Sequence, residues 1–390
     1  AASDVYKRQK GLRNSSPYRR LKLAMDYWCA LWFWPINEAH RLPTRAQYLA
    51  DLALILEGKE VDASAPPQAE LFAESMPEQL QLELLQRHGI VDVDELCREN
   101  PRLGLARRIA AEQRFLHCEL EFAEVFAERG GFDLVLGNPP WIKIEWNEAA
   151  VIGDHEPMYV VRKHSANKIA QLRDETFERI AGLLDEYLDA FTASKGTQNF
   201  LNALQNYPLL KGMQSNLYKC FLPQAWMAGN EKGVSAFLHP EGVYDDPKGG
   251  EFRSELYHRL RAHYQFQNGL MLFPIAHRAK YSVNIYGPRG SADICFDSIA
   301  NIFQPSTIDD CYAHAGQGTA PGIKNDESEW DISGHRSRIL EISSSELSLF
   351  ARLYDAEGTE PLEARLPAIH VTELIEVLRK FSAHAQRLMD

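Results

Sequence analysis

Apolar positions recur at helical spacing through the first part of the chain. Between residues 17 and 57, Leu21, Met25, Trp28, Leu31 and Trp32 share one helical face, and Pro35 closes the first segment. Tyr27, Trp28, Trp32, Phe33 and Trp34 cluster on this amphipathic stretch, where filling a core is a simpler use for them than stacking on bases. Gly58 and the Ala65-Pro66-Pro67 run interrupt the pattern and predict a linker. Residues 69–88 and 104–127 again read as helix, so the chain is expected to be mostly helical up to residue 127.

The pattern changes at Gly130-Gly131. Residues 132–137 form a short apolar run bounded by glycine, the signature of a buried parallel strand, and the two prolines that follow cannot continue a central strand. Residues 142–212 read as polar and largely helical, with basic character from Arg162, Lys163, Lys168 and Arg173. A helix is predicted over 213–228, a strand over 233–238 closed by His239-Pro240, a helix over 251–263, and strands over 265–273 and 281–286. Beyond residue 300 the signal weakens into loops, with a last helix over 372–387. Alternating strands and helices predict an α/β sheet rather than a bundle. The expected organisation is a mostly helical segment over 1–114, a core over 115–300 with a helical insertion at 142–212, and the start of a following region over 301–390.

Composition narrows the class. The chain has 390 residues, 45% hydrophobic and 25% charged, which is ordinary globular usage. Its longest apolar run, residues 28–36, is far shorter than the roughly 20 residues needed to cross a bilayer, so no membrane partner is expected. A net charge of −12 argues against coating nucleic acid through the overall field, although residues 1–22 carry +6 of their own. The six cysteines are scattered with no C-x-x-C pair, so neither a zinc site nor a disulfide framework is encoded, and a reducing, cytoplasmic setting is expected. The chain begins Ala1-Ala2-Ser3-Asp4 with no initiator Met, in a string like those at the ends of translated environmental fragments. Residues 1–9 are therefore expected to be non-native and the chain truncated at its front.

The chemistry concentrates in Asn138-Pro139-Pro140-Trp141, at the end of the 132–137 strand. Ligands bind at that edge of open α/β sheets. The exocyclic amine of adenine is a poor nucleophile because its lone pair is delocalised into the ring. Two acceptors, the Asn138 side-chain oxygen and the Pro139 carbonyl, can grip its two hydrogens and favour a pyramidal nitrogen. Pro139 and Pro140 stiffen the loop so that the acceptors are preorganised. Trp141 offers a π face for a base taken out of the stack. Such a tetrapeptide with an aromatic in last place would arise by chance in fewer than ~1% of chains this long.

The surrounding residues extend the pattern. Phe115-Leu116-His117-Cys118-Glu119-Leu120-Glu121-Phe122-Ala123-Glu124-Val125-Phe126, running into Gly131 to Trp141, resembles the large adenine-specific DNA methyltransferases of type IIG restriction-modification and phage-defence systems, with Cys118 where that pattern usually has Trp. Asn216-Leu217-Tyr218-Lys219-Cys220-Phe221, Gly233 to Pro240, and Phe252-Arg253 are similar to the family's next helix, strand and helix. The resemblance implies S-adenosylmethionine as methyl donor, a Rossmann-like sheet and double-stranded DNA with one flipped adenine, with other defence-system subunits as a further class of partner. It assigns Asn138, Pro139, Pro140 and Trp141 to catalysis and Asn138 also to the cofactor, with no metal. In the family the cofactor is held chiefly by a glycine-rich turn on an earlier strand, and no such strand precedes residue 130 in this chain. The expectation is that the turn was encoded further upstream and that the chain alone binds S-adenosylmethionine poorly; a permuted site at Gly316-Gln317-Gly318 is the lesser alternative. Two rival readings are transfer to RNA adenine or a protein glutamine amide, and a non-catalytic DNA-binding subunit. Among other residues, His239-Pro240-Glu241 and Asp245-Asp246 read as a strand end and a polar loop. Arg253 reads as a phosphate contact or a surface salt bridge, and Arg278, Lys280, Arg336 and Arg338 as DNA-facing candidates.

Overall fold

The computed structural model describes residues 16–57, 92–214, 216–290 and 294–384. The linker expected at 65–67 and the helix expected at 69–88 lie outside the described residues. The chain divides into two compact units, one formed by Ala1–Ala123 with Glu145–Phe200 and the other by Glu124–Ile144 with Leu201–Asp390.

The first unit is helical. Helices α1 (Ser16–Ala30), α2 (Arg45–Glu57), α3 (Val93–Glu99) and α4 (Pro101–Gln113) surround Leu23, Tyr27, Phe33, Trp34, Ile55, Leu103 and Ile109. Most of the aromatic cluster is core, as its spacing predicts, but Trp28 stays 42% exposed. The buried Asp51 carboxylate is satisfied by Arg102 at 2.9 and 3.0 Å, by the Asn100 amide at 3.1 Å and by the Tyr27 hydroxyl at 2.8 Å. A buried charge persists on such terms, with a cation and further donors around it. Asn100 also caps α4, whose first residue is Pro101, so one side chain ends one helix contact and starts the next element. Helices α5 (Glu148–Gly153), α6 (Ala166–Arg179) and α7 (Leu183–Asn202) close around Ile152, Tyr159, Ile169 and Leu183.

The second unit is built on one six-stranded sheet. Strands β1 (Phe132–Gly137), β2 (Gly229–Pro240), β3 (Leu260–Gln267), β4 (Lys280–Tyr286), β5 (Cys295–Ile302) and β6 (Leu340–Ser343) lie in the order β1-β2-β4-β3-β5-β6. β1 runs parallel to β2 and β3 parallel to β5, while β4 is antiparallel to both β2 and β3 and β6 is antiparallel to β5. Helix α8 (Leu217–Ala228) leads into β2 and α9 (Gly250–Arg259) into β3. The result is a mixed α/β, Rossmann-like sheet, the class that strand and helix alternation predicts.

Two local expectations are corrected. The helix predicted over 251–263 ends at Arg259, and the strand predicted over 265–273 is β3, which starts at Leu260 and stops at Gln267. Leu260 pairs with β4, and Ala262 and His263 are claimed by ladders on both sides, and that pairing outweighs local helix propensity. Past residue 300 the chain is more regular than expected: α10 (Ser306–Ala313), β6, α11 (Ser344–Tyr354) and α12 (Glu373–Ser382) follow. Ser343 and Glu346 cap α11 reciprocally, a Ser-x-x-Glu signal present in the sequence.

The two faces of the sheet differ. Phe266, Tyr281, Ile299 and Ile302 form an apolar core on one. Alternation along the strands turns His239, Gln265, Ser282 and Asn284 to the other, and all four are buried. Among the described residues no helix is long and apolar enough to cross a membrane.

Candidate active site

Glycines fix how β1 ends. Gly131 has φ 138°, and a Cβ there would lie 2.6 Å from the Ala228 carbonyl oxygen. A Cβ on Gly137 would meet the Phe237 ring at 3.0 Å. The β1–β2 ladder runs to Gly137 opposite Phe237, and the two prolines then carry the chain out of the sheet.

Trp141 anchors the loop from below. Its indole N–H donates to the Leu238 carbonyl at 3.3 Å, and its ring lies 5.7 Å from Tyr281 and 6.5 Å from Phe273. Tyr281 is itself stacked on Phe266, with centroids 5.6 Å apart and planes 3° from parallel. The Leu217 N–H donates to the Ile142 carbonyl at 3.0 Å and ties the far end of the loop to the start of α8. Pro139 is buried, whereas Asn138 and Pro140 are exposed.

The loop forms one wall of an open cleft of about 210 Å³, bordered by Asn138, Pro139, Pro140 and Trp141 and, opposite, by Phe273, Pro274 and Ile275. Neither the Asn138 amide nor the Pro139 carbonyl bonds to another described residue, and of the two residues Asn138 is the exposed one. The four residues singled out from sequence therefore meet at one site.

The opposite wall was not legible beforehand. It hangs on Asn268, which is fully buried. The Asn268 side-chain NH₂ donates to the Phe273 carbonyl at 2.9 Å and the Ile275 carbonyl at 3.0 Å, and its oxygen accepts from the Phe273 N–H at 3.1 Å. Together with the Ile275 N–H, which donates to the Phe273 carbonyl at 2.8 Å, this one amide supplies the partners that a ladder would give residues 273–275. The Asn268-Gly269 pair is a turn signal inside the strand predicted over 265–273, and β3 stops just before it at Gln267.

Behind the cleft, the polar face of the sheet carries a closed network. Glu241 accepts from His263 at 3.2 Å and from the Gln265 amide at 3.3 Å. Burial works against its charge, yet the neighbouring His263 and Ser282 hold its carboxyl below the usual range. His239 donates from Nδ1 to the Pro240 carbonyl at 2.8 Å and accepts at Nε2 from the Tyr286 hydroxyl at 2.8 Å. Burial pushes His239 down to about 4, so the ring is neutral. His239-Pro240 is the end of β2, as expected, but His239 and Glu241 are buried rather than part of an exposed polar loop.

Several basic residues are corrected as well. Arg253 is 2% exposed and donates to the carbonyls of Asp246 and Glu363, so it is neither a phosphate contact nor a surface salt bridge. Arg338 is fully buried and donates to the carbonyls of Ser333, Ala300 and Asn301, while Arg278, Lys280 and Arg336 are exposed. Gly316 and Gly318 follow α10 rather than a strand, which removes the permuted cofactor turn. Among the described residues no strand ends in a glycine-rich turn, so they do not fit the adenosyl donor and no contact to it is assigned. Among the described residues no group of three His, Cys, Asp or Glu side chains converges to hold a metal ion.

No curated protein matches the chain. The family model described as Eco57I restriction-modification methylase matches residues 44–207, a span that contains the Asn138–Trp141 loop, and it supports a methyltransferase of the restriction-modification type, which implies DNA as substrate.

Proposed function

We propose that the site serves methylation of the 6-amino group of adenine in double-stranded DNA, with S-adenosylmethionine as donor, within a type IIG restriction-modification or phage-defence enzyme. The observation that carries the reading is the pair of unbonded acceptors, Asn138 and the Pro139 carbonyl, on a proline-stiffened loop beside an anchored Trp141. Both amine hydrogens are taken up by these acceptors, which turns the nitrogen lone pair away from the ring and out of the loop. The two prolines hold that geometry before the base arrives, so little reorganisation is left for the reaction itself. Trp141 and Phe273 meet at an angle and give the base an apolar corner, which excludes water from one side of the amine. The proton lost from the nitrogen passes to solvent through the open mouth.

The donor contacts lie outside the described residues on this reading, and the chain alone binds S-adenosylmethionine more weakly than micromolar. The test of the reaction is incorporation of labelled methyl groups into unmethylated genomic DNA at saturating donor, followed by digestion to nucleosides. In a longer version of the chain that carries a glycine-rich cofactor turn, label is expected in N6-methyladenine, and Asn138→Ala should lower it by about 10² to 10³; the 390-residue chain alone is expected to transfer little or none. Retained activity in that variant removes Asn138 from its role. Label in ribosomal RNA or in a glutamine-containing peptide, with none in DNA, moves the reading to those substrates, and DNA binding without any transfer leaves a non-catalytic subunit.

A further inference from the structure

Between Glu255 and Asp293 the sequence holds no carboxylate, in a chain whose net charge is −12. Arg259 and Arg289 in this stretch pair with Glu255, and Arg261 donates to the carbonyls of His258, Leu260 and Pro288. Arg278 and Lys280 are different: both are exposed and make no ion pair among the described residues, although Lys280 lies close enough to Asp245 to act on its carboxyl. They sit on the descending side of the loop that carries Phe273. Its crest is apolar, with Leu270 46%, Met271 56% and Leu272 42% exposed. Three consecutive large apolar side chains in water are a liability unless something covers them.

The crest is held, not loose. Met271 takes a left-handed φ of 55°, its N–H donates to the Asn268 carbonyl at 2.9 Å, and the buried Asn268 side chain fixes residues 273 and 275 just behind it. A rigid apolar point flanked by free cations, immediately beside a base-sized cleft, matches one partner chemistry. Withdrawing a base from a duplex leaves an apolar gap in the stack and a phosphate backbone on either side. Apolar wedges enter such gaps in other DNA-bending and base-extruding proteins.

We propose that the Leu270-Met271-Leu272 crest enters the base stack of duplex DNA at the place vacated by the withdrawn base, with Arg278 and Lys280 on the flanking phosphates. This rests on the adenine reading of the cleft and adds the element that keeps the duplex open. The crest and the cleft wall are two ends of one short loop, so the gap and the extruded base are addressed by a single rigid piece.

The test uses the full chain and a short labelled duplex, either intact or with one abasic position that supplies the gap in advance, followed by fluorescence anisotropy at low salt. The expected result is tighter binding to the abasic duplex. The double variant Met271→Asn, Leu272→Ser keeps a residue tolerant of left-handed φ at 271, removes the apolar crest, and should lose about tenfold of that preference while binding the intact duplex as before. Arg278→Ala with Lys280→Ala should weaken both duplexes alike and flatten the salt dependence by about two units of log–log slope. An abasic preference that survives the crest variant, or no duplex binding at all, overturns the proposal. The two readings fail separately: loss of N6-methyladenine in Asn138→Ala with an unchanged abasic preference in the crest variant leaves the cleft reading standing and sinks the crest alone.

Discussion

Asn268 shows how much of a site can depend on a residue that touches nothing reactive. Its three strong hydrogen bonds hold residues 273 and 275 in place. Asn268→Ala leaves the Ile275 carbonyl and the Phe273 N–H without their partner in a partly buried setting, while the Phe273 carbonyl keeps the Ile275 N–H at 2.8 Å; each unsatisfied group costs about 1–3 kcal/mol, less whatever water can enter to recover. Urea melts of the variant should therefore shift to lower midpoints, and the cleft should lose base binding even where the fold survives. His239 makes a second prediction. Its pKa is lowered by burial to about 4 from 6.5, so the unfolded chain takes up a proton as pH falls through 6.5 while the folded chain does not until about 4. Stability from this group is complete above pH 6.5 and declines to a loss of about 3 kcal/mol near pH 4. In His239→Gln, which cannot titrate, the thermal midpoint should fall less steeply across that window; parallel curves would count against the assignment. At this scale the tetrapeptide was legible because its chemistry is contiguous. Phe273 was not, because nothing in its neighbours along the chain says that it will face Trp141.

Elements were legible where period and punctuation agree. Residues 132–137 read as a strand because glycines bound an apolar run, and β1 covers those residues, but as an edge strand with Leu134 55% and Leu136 66% exposed rather than the buried strand expected. β5 was missed because Asp297, Ser298 and Asn301 break its apolar pattern, and two of these polar residues are buried for reasons the strand itself does not contain: Ser298 bonds to His263 at 3.0 Å, and the Asn301 N–H donates to Gln265 at 3.3 Å. The prolonged helix over 251–263 failed for a related reason, since only its ladder partners distinguish Leu260 onward from helix. Gly137 supplies the prediction at this scale. In Gly137→Ala the new methyl meets Phe237 at 3.0 Å, so either the ring or the end of β1 must give by a few tenths of an ångström. Overpacking of this kind costs about 1–3 kcal/mol. Because Asn138 is the next residue, methyl transfer should fall by more than the stability loss accounts for; a variant that is destabilised yet fully active would show that the loop moves independently of β1.

At the scale of the molecule, alternation of strand and helix sufficed for an α/β class, but strand order did not follow from it. β4 lies antiparallel between β2 and β3, an arrangement fixed by pairings such as Ala236 with Ile285 that no local pattern encodes. Among the described residues no strand ends in a glycine turn, and that too belongs to the arrangement as a whole. Calorimetry of the 390-residue chain with S-adenosylmethionine should give affinity weaker than micromolar, and a micromolar constant would mean that a donor site exists without a glycine turn at a strand end.

The two walls of the cleft also carry a schedule. Trp141 leans on Tyr281, and Phe273 stands opposite it, some 130 residues further along the chain. At a synthesis rate of 5–20 residues per second, the ribosome delivers the proline loop roughly ten seconds before the surface that supports it. For that interval the Trp141 ring lacks Tyr281 and Phe273 to lean on, so the nascent chain is stickiest there while its chemistry is already written.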